Sequence, residues 1–527
     1  MVALVACPYN NNDFMGREDI SFDDLGLGYL YVSLQNNGYS VVLFDSLRPN
    51  LSFYPPYREL EEKLVKLKPD YIGFSDSLIT FKKSLRLSQS LKKQLPQVKI
   101  IYGDIHASMY NKEIMENEEH VDFVICGDGD HSFPMLIDAL ENQKDFSMIP
   151  GLTYRNENQV IETPVSYQHD LNSLPFPFRP SLYDLEVNPD TYYNIVSSRG
   201  CSGHCTFCSV GNYLTKHCSD KNHRWRPRSA ENIFAEIHYL YKQGVRNLAF
   251  HDDNIIGNRD FGLQRMTRLC ELIIKNNLEN LSFSAAVRPD ILNSDDIEFL
   301  LLMKKAGLTT ISFGLEAGNE KQLKFYGKKY DQSVVKKLIP LLLESNIMVR
   351  AGFIMFYPYS TFDMLKQNSR FLAEVELFFM FTCFSNKLMP TSKLPMEKRL
   401  KNDDLLVKPT TYNEMGVYTF QDKRIDELQK FISTTMYPEN ETLIAILIAS
   451  TDICKRAKLG GKEFKVFRES LKKIGDATVN FFNFCVDTFE AAENVTDAIR
   501  TSYKYSNQWS RIVGKEKIIL KNHHNLK

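Results

Sequence analysis

Short apolar runs of strand length recur along this chain with helical stretches between them. That alternation restricts it to an α/β architecture built on parallel sheets. In the first 130 residues the runs at 2–7, 41–45, 68–75, 98–103 and 121–127 predict strands. The stretch Asp24-Leu25-Gly26-Leu27 opens a predicted helix that closes at Asn37-Gly38, where a glycine suits a C-terminal cap. A second series follows at 245–250, 281–286, 309–313 and 348–356. Ahead of its first member Ser229 is placed as an N-cap, and Ile233, Phe234, Ile237 and Leu240 form an apolar stripe. Open parallel sheets bind ligands beyond the carboxyl ends of their strands, and closed ones do their chemistry there. The strand ends are therefore the places to look for function.

One short stretch between the two series carries distinctive chemistry: Cys201-Ser202-Gly203-His204-Cys205-Thr206-Phe207-Cys208. Three thiols in C-x3-C-x2-C spacing are soft ligands suited to an iron–sulfur cluster or to zinc. Zinc calls for a fourth ligand, for which His204 or Cys218 is the local candidate. A cubane cluster held by three thiolates keeps one iron open to a substrate.

This stretch, with Phe207 before its last cysteine, resembles the cluster motif of the radical S-adenosylmethionine (SAM) superfamily. The resemblance implies that Cys201, Cys205 and Cys208 hold a [4Fe–4S] cluster whose open iron chelates SAM. It also implies reductive cleavage of SAM to a 5′-deoxyadenosyl radical. Strand-end residues downstream resemble the superfamily's SAM-binding elements. Asp252 and Asp253, in His251-Asp252-Asp253-Asn254, match an acidic loop near the SAM amino group. Arg288 and Asp290, after a strand that also carries Ser284, match a pair near the ribose and carboxylate. Gly314 and Glu316 match a ribose-contacting Gly-x-Glu. Gly352 and Ile354 match a strand whose backbone holds adenine. The fold implied is a partial (β/α)6 TIM-like barrel. Tyr357-Pro358-Tyr359 and Pro390-Thr391-Ser392-Lys393-Leu394-Pro395 depart from the superfamily's usual sequence near a substrate mouth.

The first series resembles the cobalamin-binding, Rossmann-like domain that precedes the cluster domain in one large radical SAM subfamily. The resemblance rests on the Leu-Gly-Leu helix entry and three strand-end loops. These place Ser75, then Gly103, His106 and Ser108, then Gly127 and Gly129, at the cofactor. Asp104 stands where the family commonly has a second glycine, and Asp128 and Asp130 stand where glutamate is usual. The Asp-x-His-x-x-Gly signature of histidine-ligated cobalamin domains is absent. His106 is expected to hydrogen-bond backbone rather than to ligate cobalt.

The expected organisation is a cobalamin-binding-like domain at 1–148, an extended proline-dense linker at 149–190, a radical SAM barrel at 191–398 and a small α-helical domain at 399–527. Within the last, 428–432, 443–448, 464–474, 479–489 and 495–505 read as helical. Cys454 and Cys485 read as buried small hydrophobes. Sixty-four basic and 65 acidic residues leave a net charge of -1, which gives no support to a nucleic-acid or anionic-membrane partner. No apolar run is long enough to span a bilayer, and the start lacks a basic signal-peptide region. Ten cysteines in 527 residues are too sparse for a disulfide scaffold, so a cytoplasmic, reducing setting is expected. These features together read as a cobalamin-dependent radical SAM enzyme methylating an unactivated carbon of a small-molecule substrate. Its partner is a reductant such as flavodoxin or ferredoxin. The alternatives are a non-methylating rearrangement, cyclisation or dehydration on the same cofactors, and a non-catalytic SAM- or cobalamin-binding protein. A methylthiotransferase would need more N-terminal cysteines than Cys7 and Cys126.

Overall fold

In the computed structural model the described residues are 1–7, 20–21, 23–45, 57–157, 159–183, 187–188, 191–218, 220–391, 393–437 and 462–524. The chain divides into two compact units. Unit one is Met1–Cys201, Ser209–Asn247 and Thr410–Met415; unit two is Ser202–Cys208, Leu248–Pro409 and Gly416–Lys527.

The main sheet of unit one uses β1 (Val2–Ala6), β2 (Val41–Asp45), β3 (Tyr71–Ser75), β4 (Lys99–Gly103), β5 (Phe123–Ile125), β6 (Leu152–Asn156) and β7 (Gln159–Glu162), in the order β2-β1-β3-β4-β5-β6-β7. The first five are parallel. This is a doubly wound order, with its topological switch point between β1 and β3. Both faces are covered, as continuous apolar strands require. Val2, Leu4 and Ala6 pack with Leu34, Ile101 and Phe133, whereas Ala3, Val5 and Cys7 pack with Phe74, Phe81 and Tyr102. Gly38 takes φ +85°, and the Tyr39 amide reaches back to the Leu34 carbonyl at 3.1 Å, closing the Leu25–Asn36 helix.

Strands β6 and β7 form an antiparallel hairpin added to β5, within the stretch expected to be extended linker. Its strands are short and largely polar, as suits a sheet edge, so they leave no apolar run to read. Arg155 ties the hairpin down by donating to the carbonyls of Val121, Met115 and Glu118. Unit one also holds β8 (Tyr192–Ile195) and a two-stranded ribbon of β9 (Ser198–Gly200) and β10 (Trp225–Pro227). The Ala230–Lys242 helix is capped by Ser229 and buries Glu236 between Arg179 and Arg228.

In unit two, β11 (Asn247–Phe250), β12 (Ser282–Val287), β13 (Leu308–Glu316) and β14 (Met348–Phe353) lie in the order β14-β13-β12-β11. The β12–β13 and β13–β14 pairs are parallel, and helices Arg259–Lys275, Ile297–Lys305 and Gln332–Glu344 connect the strands, giving a partial barrel. A helix covers 423–437, and two long helices, Lys462–Ala491 and Val495–His524, complete the helical C-terminal region. The stretches 464–474 and 479–489 are thus one helix that runs through Gly475. A Cβ there would fall 1.5 Å from the Phe378 ring, so the glycine makes room for an aromatic side chain rather than ending the helix. Residues 443–448 and Cys454 lie outside the described residues. Among the described residues no helix is long and apolar enough to cross a membrane.

Candidate cofactor sites

The carboxyl edge of the unit-one sheet gathers the loops that carry Ser75, Gly103, His106, Ser108, Gly127 and Gly129. Gly103 caps the Asp104–Met109 helix, and Asp104 itself adopts φ +74°. That is the left-handed conformation a glycine takes without strain. Aspartate is tolerated there because its carboxylate can bond local backbone, and Asp104 Oδ1 accepts from the Ile105 amide. Burial pushes the Asp104 carboxyl up to about 6, against that hydrogen bond. Ser108 accepts from the Gly127 amide at 3.3 Å and donates to the Asp104 carbonyl at 2.7 Å, joining two of the loops. His106 donates from Nε2 to the Tyr412 carbonyl at 2.7 Å, and burial lowers its pKa, so the ring is neutral and backbone-bound.

At the switch point stands Asp76, directly after β3 and 2% exposed. Burial pushes its carboxyl up to about 7, with Thr80, Ser84 and the Cys7 amide pulling the other way. Yet the Thr80 and Ser84 hydroxyls donate to the carbonyls of Ser77 and Phe81, and neither carboxyl oxygen has a hydrogen-bond partner among the described residues. A buried acceptor left open at the crevice of a doubly wound sheet fits a ligand rich in carboxamide donors, as a corrinoid is. Asp128 and Asp130, in contrast, are committed. Asp128 pairs with Arg226, and Asp130 lies 2.6 Å from Arg199.

In unit two the cysteine loop is clamped by a residue the sequence did not flag. Thr206 donates through its amide to the Tyr326 carbonyl at 2.9 Å and through its hydroxyl to the Phe325 carbonyl at 2.8 Å. Phe207 packs edge-on against Tyr326, with ring centroids 5.2 Å apart. Gly327, at φ +70°, comes so close that a Cβ would lie 2.9 Å from the His204 carbonyl oxygen. Cys205 is buried, while Cys201 and Cys208 are half-buried. Burial raises the Cys205 thiol, and Lys328 and Arg288 pull it back toward the thiolate that metal ligation requires. Among the described residues no three His, Cys, Asp or Glu side chains converge to hold a single metal ion.

The strand ends around Cys205 supply the rest. Glu316 adopts φ +65° at a bulge between β13 and β14, the kind of outlier that concentrates at functional sites. Its Oε1 lies 3.1 Å from Lys328 Nζ, which also donates to the Gly314 carbonyl at 3.0 Å. Burial raises the Glu316 carboxyl, opposed by Lys328 and Arg288. Gly314 leaves room for this pair, since a Cβ there would stand 2.8 Å from Glu316 Oε1 and 2.9 Å from Lys328 Nζ. Lys328 was not legible in the sequence, where it is one of two lysines in a row. Its place directly after the helix-capping Gly327 was the available signal. Ser284, Ala286, Ser312, Gly314 and Gly352 are only half-buried or exposed on adjacent strands, with Gly314 opposite Gly352. This face of small residues, with a carboxylate and two cations at its end, fits a ribose diol and a zwitterionic amino acid. Arg288 and Asp290 hold each other, at 3.0 and 2.5 Å. Ile354 has its amide on the Glu316 carbonyl at 2.8 Å and its carbonyl on Gln322 at 2.7 Å, so its backbone is already engaged. Asp252 is buried and Asp253 exposed.

Residues 195–372 match the Radical SAM superfamily, and residues 21–137 match the B12 binding domain. The chain is 28% identical over 341 residues to an anaerobic magnesium-protoporphyrin IX monomethyl ester cyclase of Synechocystis, covering 63% of this chain and 64% of that protein. The matched segment thus spans less than two thirds of that relative. An uncharacterized methyltransferase of Pyrococcus horikoshii is 24% identical over 361 residues, covering 67% of this chain and 73% of the relative. In fold the chain is similar to the cobalamin-dependent SAM radical enzyme OxsB with aqua-cobalamin bound, with a TM-score of 0.75 at 17% identity, covering 100% of this chain and 81% of that one. The chain therefore carries a B12 binding domain ahead of a radical SAM domain on one polypeptide.

Proposed function

We propose that this protein methylates an unactivated carbon of a small-molecule substrate, using SAM both as methyl source and as radical source. What carries the reading is the presence on one chain of a B12 binding domain and a radical SAM domain, together with a methyltransferase among its relatives. When bound, the [4Fe–4S] cluster supplies an electron to SAM and cobalamin supplies a methyl carrier. The chain's own residues bind and orient. Cys201, Cys205 and Cys208 ligate, and Lys328 and Arg288 favour the Cys205 thiolate. Glu316 accepts from the ribose hydroxyls, with the Lys328 ammonium 3.1 Å from its Oε1. Ser284, Gly314 and Gly352 leave the adenosyl group its space, and Asp252 and Asp253 lie toward the amino group. In unit one, Ser75, Gly103, His106, Ser108, Gly127 and Gly129 shape the cobalamin edge.

We divide the chain for this purpose at 148, 190 and 398, and assign it to the cytoplasm with flavodoxin or ferredoxin as reductant. The test is anaerobic reconstitution with iron, sulfide and hydroxocobalamin, followed by reduction with SAM carrying a labelled methyl group. 5′-Deoxyadenosine together with label in the corrinoid fraction supports the reading, and neither product overturns it. 5′-Deoxyadenosine without label favours the second reading, a non-methylating cyclisation or rearrangement, for which the similarity to a cyclase is the supporting observation.

A further inference from the structure

Arg199 and Arg226 face each other across the β9–β10 ribbon, in register. Like charges so placed repel. Here they are held by two acids from the loop after β5. Asp128 pairs with Arg226 and lies 3.6 Å from Arg199, while Asp130 holds Arg199 through both guanidinium nitrogens, at 2.6 and 3.2 Å. Each arginine also lies over an aromatic ring, Arg199 at 4.9 Å from Tyr29 and Arg226 at 4.8 Å from Tyr167. The loop is fixed from its other side as well. The Ser33 hydroxyl donates to the Asp130 carbonyl at 2.5 Å, and the Gln168 amide donates to Asp128 at 2.9 Å. Burial raises the Asp128 carboxyl, yet the two arginines outweigh it and leave the pKa below its ordinary value. Two acids and two bases make a compact, charge-neutral cluster that is mostly buried.

The position of Arg199 in the chain ties this cluster to the cysteine loop. Only Gly200 separates it from Cys201, and Gly200 is pinned at φ +83°, where a Cβ would lie 2.2 Å from the Arg224 carbonyl oxygen. The backbone from Arg199 through Gly200 is thus held by the ribbon up to the residue that carries the thiol. The acids of a loop that the sequence assigns to cobalamin are thus spent on the strand that presents a cluster ligand.

We propose that Asp130 and Arg199, with Asp128 and Arg226, are positioning residues for Cys201, which set its sulfur for cluster ligation and bind it into one rigid piece with the Gly127–Gly129 cofactor loop. The inference rests on the proposed function for the role of Cys201, but its test does not use turnover. In cluster-free protein kept reduced and without air, iodoacetamide labelling is followed at Cys201 and at Cys208 by peptide mass spectrometry. Cys208 is the internal reference because it is also half-buried and lies beyond the tether. Asp130→Asn is expected to raise the Cys201:Cys208 labelling ratio roughly fivefold, as a modest loss of local stability does. Asp130→Glu, which keeps the carboxylate, is expected to hold the wild-type ratio. A ratio unmoved by Asp130→Asn, or moved equally by both substitutions, overturns the proposal. Should Asp130→Asn fail to fold, Arg199→Lys takes its place, because it keeps the charge and loses the two-pronged grip; an unmoved ratio there overturns the proposal equally. Failure of the methyl-transfer reading would appear instead as no methyl label in the corrinoid fraction of the wild-type protein, with the iodoacetamide result unaffected.

Discussion

At the scale of single residues, the site is governed by which charges are buried beside which. Lys328 is 8% exposed and serves Glu316, the Gly314 carbonyl and the Cys205 thiol. Lys328→Met is expected to weaken SAM binding to the reconstituted protein by about tenfold, the worth of one charge-assisted hydrogen bond, while hydroxocobalamin affinity is unchanged. Equilibrium dialysis with both ligands checks this, and an equal loss for both would misplace the lysine. Asp76 gives a pH dependence. Its carboxyl is raised to about 7 from the model-peptide value of 3.8, so between those pH values the folded chain binds a proton the unfolded chain has lost. Stability therefore falls as pH rises through that window. Asp76→Asn is expected to stabilise the cofactor-free protein at pH 8 by an amount on the order of 3 kcal/mol and to change nothing below pH about 4. Thermal melts at the two pH values decide it.

At the scale of elements, two turns are held in left-handed backbone for different reasons. Gly327 allows the Glu320–Tyr326 helix to end against the cysteine loop, so Gly327→Ala brings both φ strain and a contact with His204. The expected cost is about 1–2 kcal/mol, with slower iron incorporation on reconstitution. Asp104 does with a side chain what glycine does without one. Asp104→Gly is expected to be tolerated in hydroxocobalamin binding, whereas Asp104→Ala, which keeps the Cβ and loses the local hydrogen bond, is expected to lose about 1 kcal/mol of stability. Equal melting temperatures for the two variants would remove that account.

At the scale of the whole molecule, each unit carries one buried tryptophan. Trp225 is 6% exposed in unit one, and Trp509 is 2% exposed in unit two, donating to Thr478 at 3.1 Å. Chains with more than one compact unit commonly depart from a single two-state transition. The Trp509→Phe variant, read through Trp225, and the Trp225→Phe variant, read through Trp509, are expected to unfold in urea at different midpoints. Superimposable curves would show one cooperative structure. In the Trp509→Phe background, Arg228→Met is expected to cost about 3–5 kcal/mol, because it leaves the fully buried Glu236 with Arg179 as its one remaining partner in that ion cluster. The sequence by itself determined the strand–helix alternation, because apolar periodicity is a local property. It also carried the C-x3-C-x2-C spacing and the positions of the strand-end acids, because contiguous residues carry their spacing with them. It did not determine the hairpin of β6 and β7, whose strands are too polar to stand out, or the continuity of the helix through Gly475. Nor could it pair Lys328 with Glu316, or Arg199 and Arg226 with Asp128 and Asp130. The partners in those pairs stand between 12 and 98 positions apart in the chain. A buried charge is stable only beside its counter-charge, and which charges become buried together is decided by how the strands and turns pack.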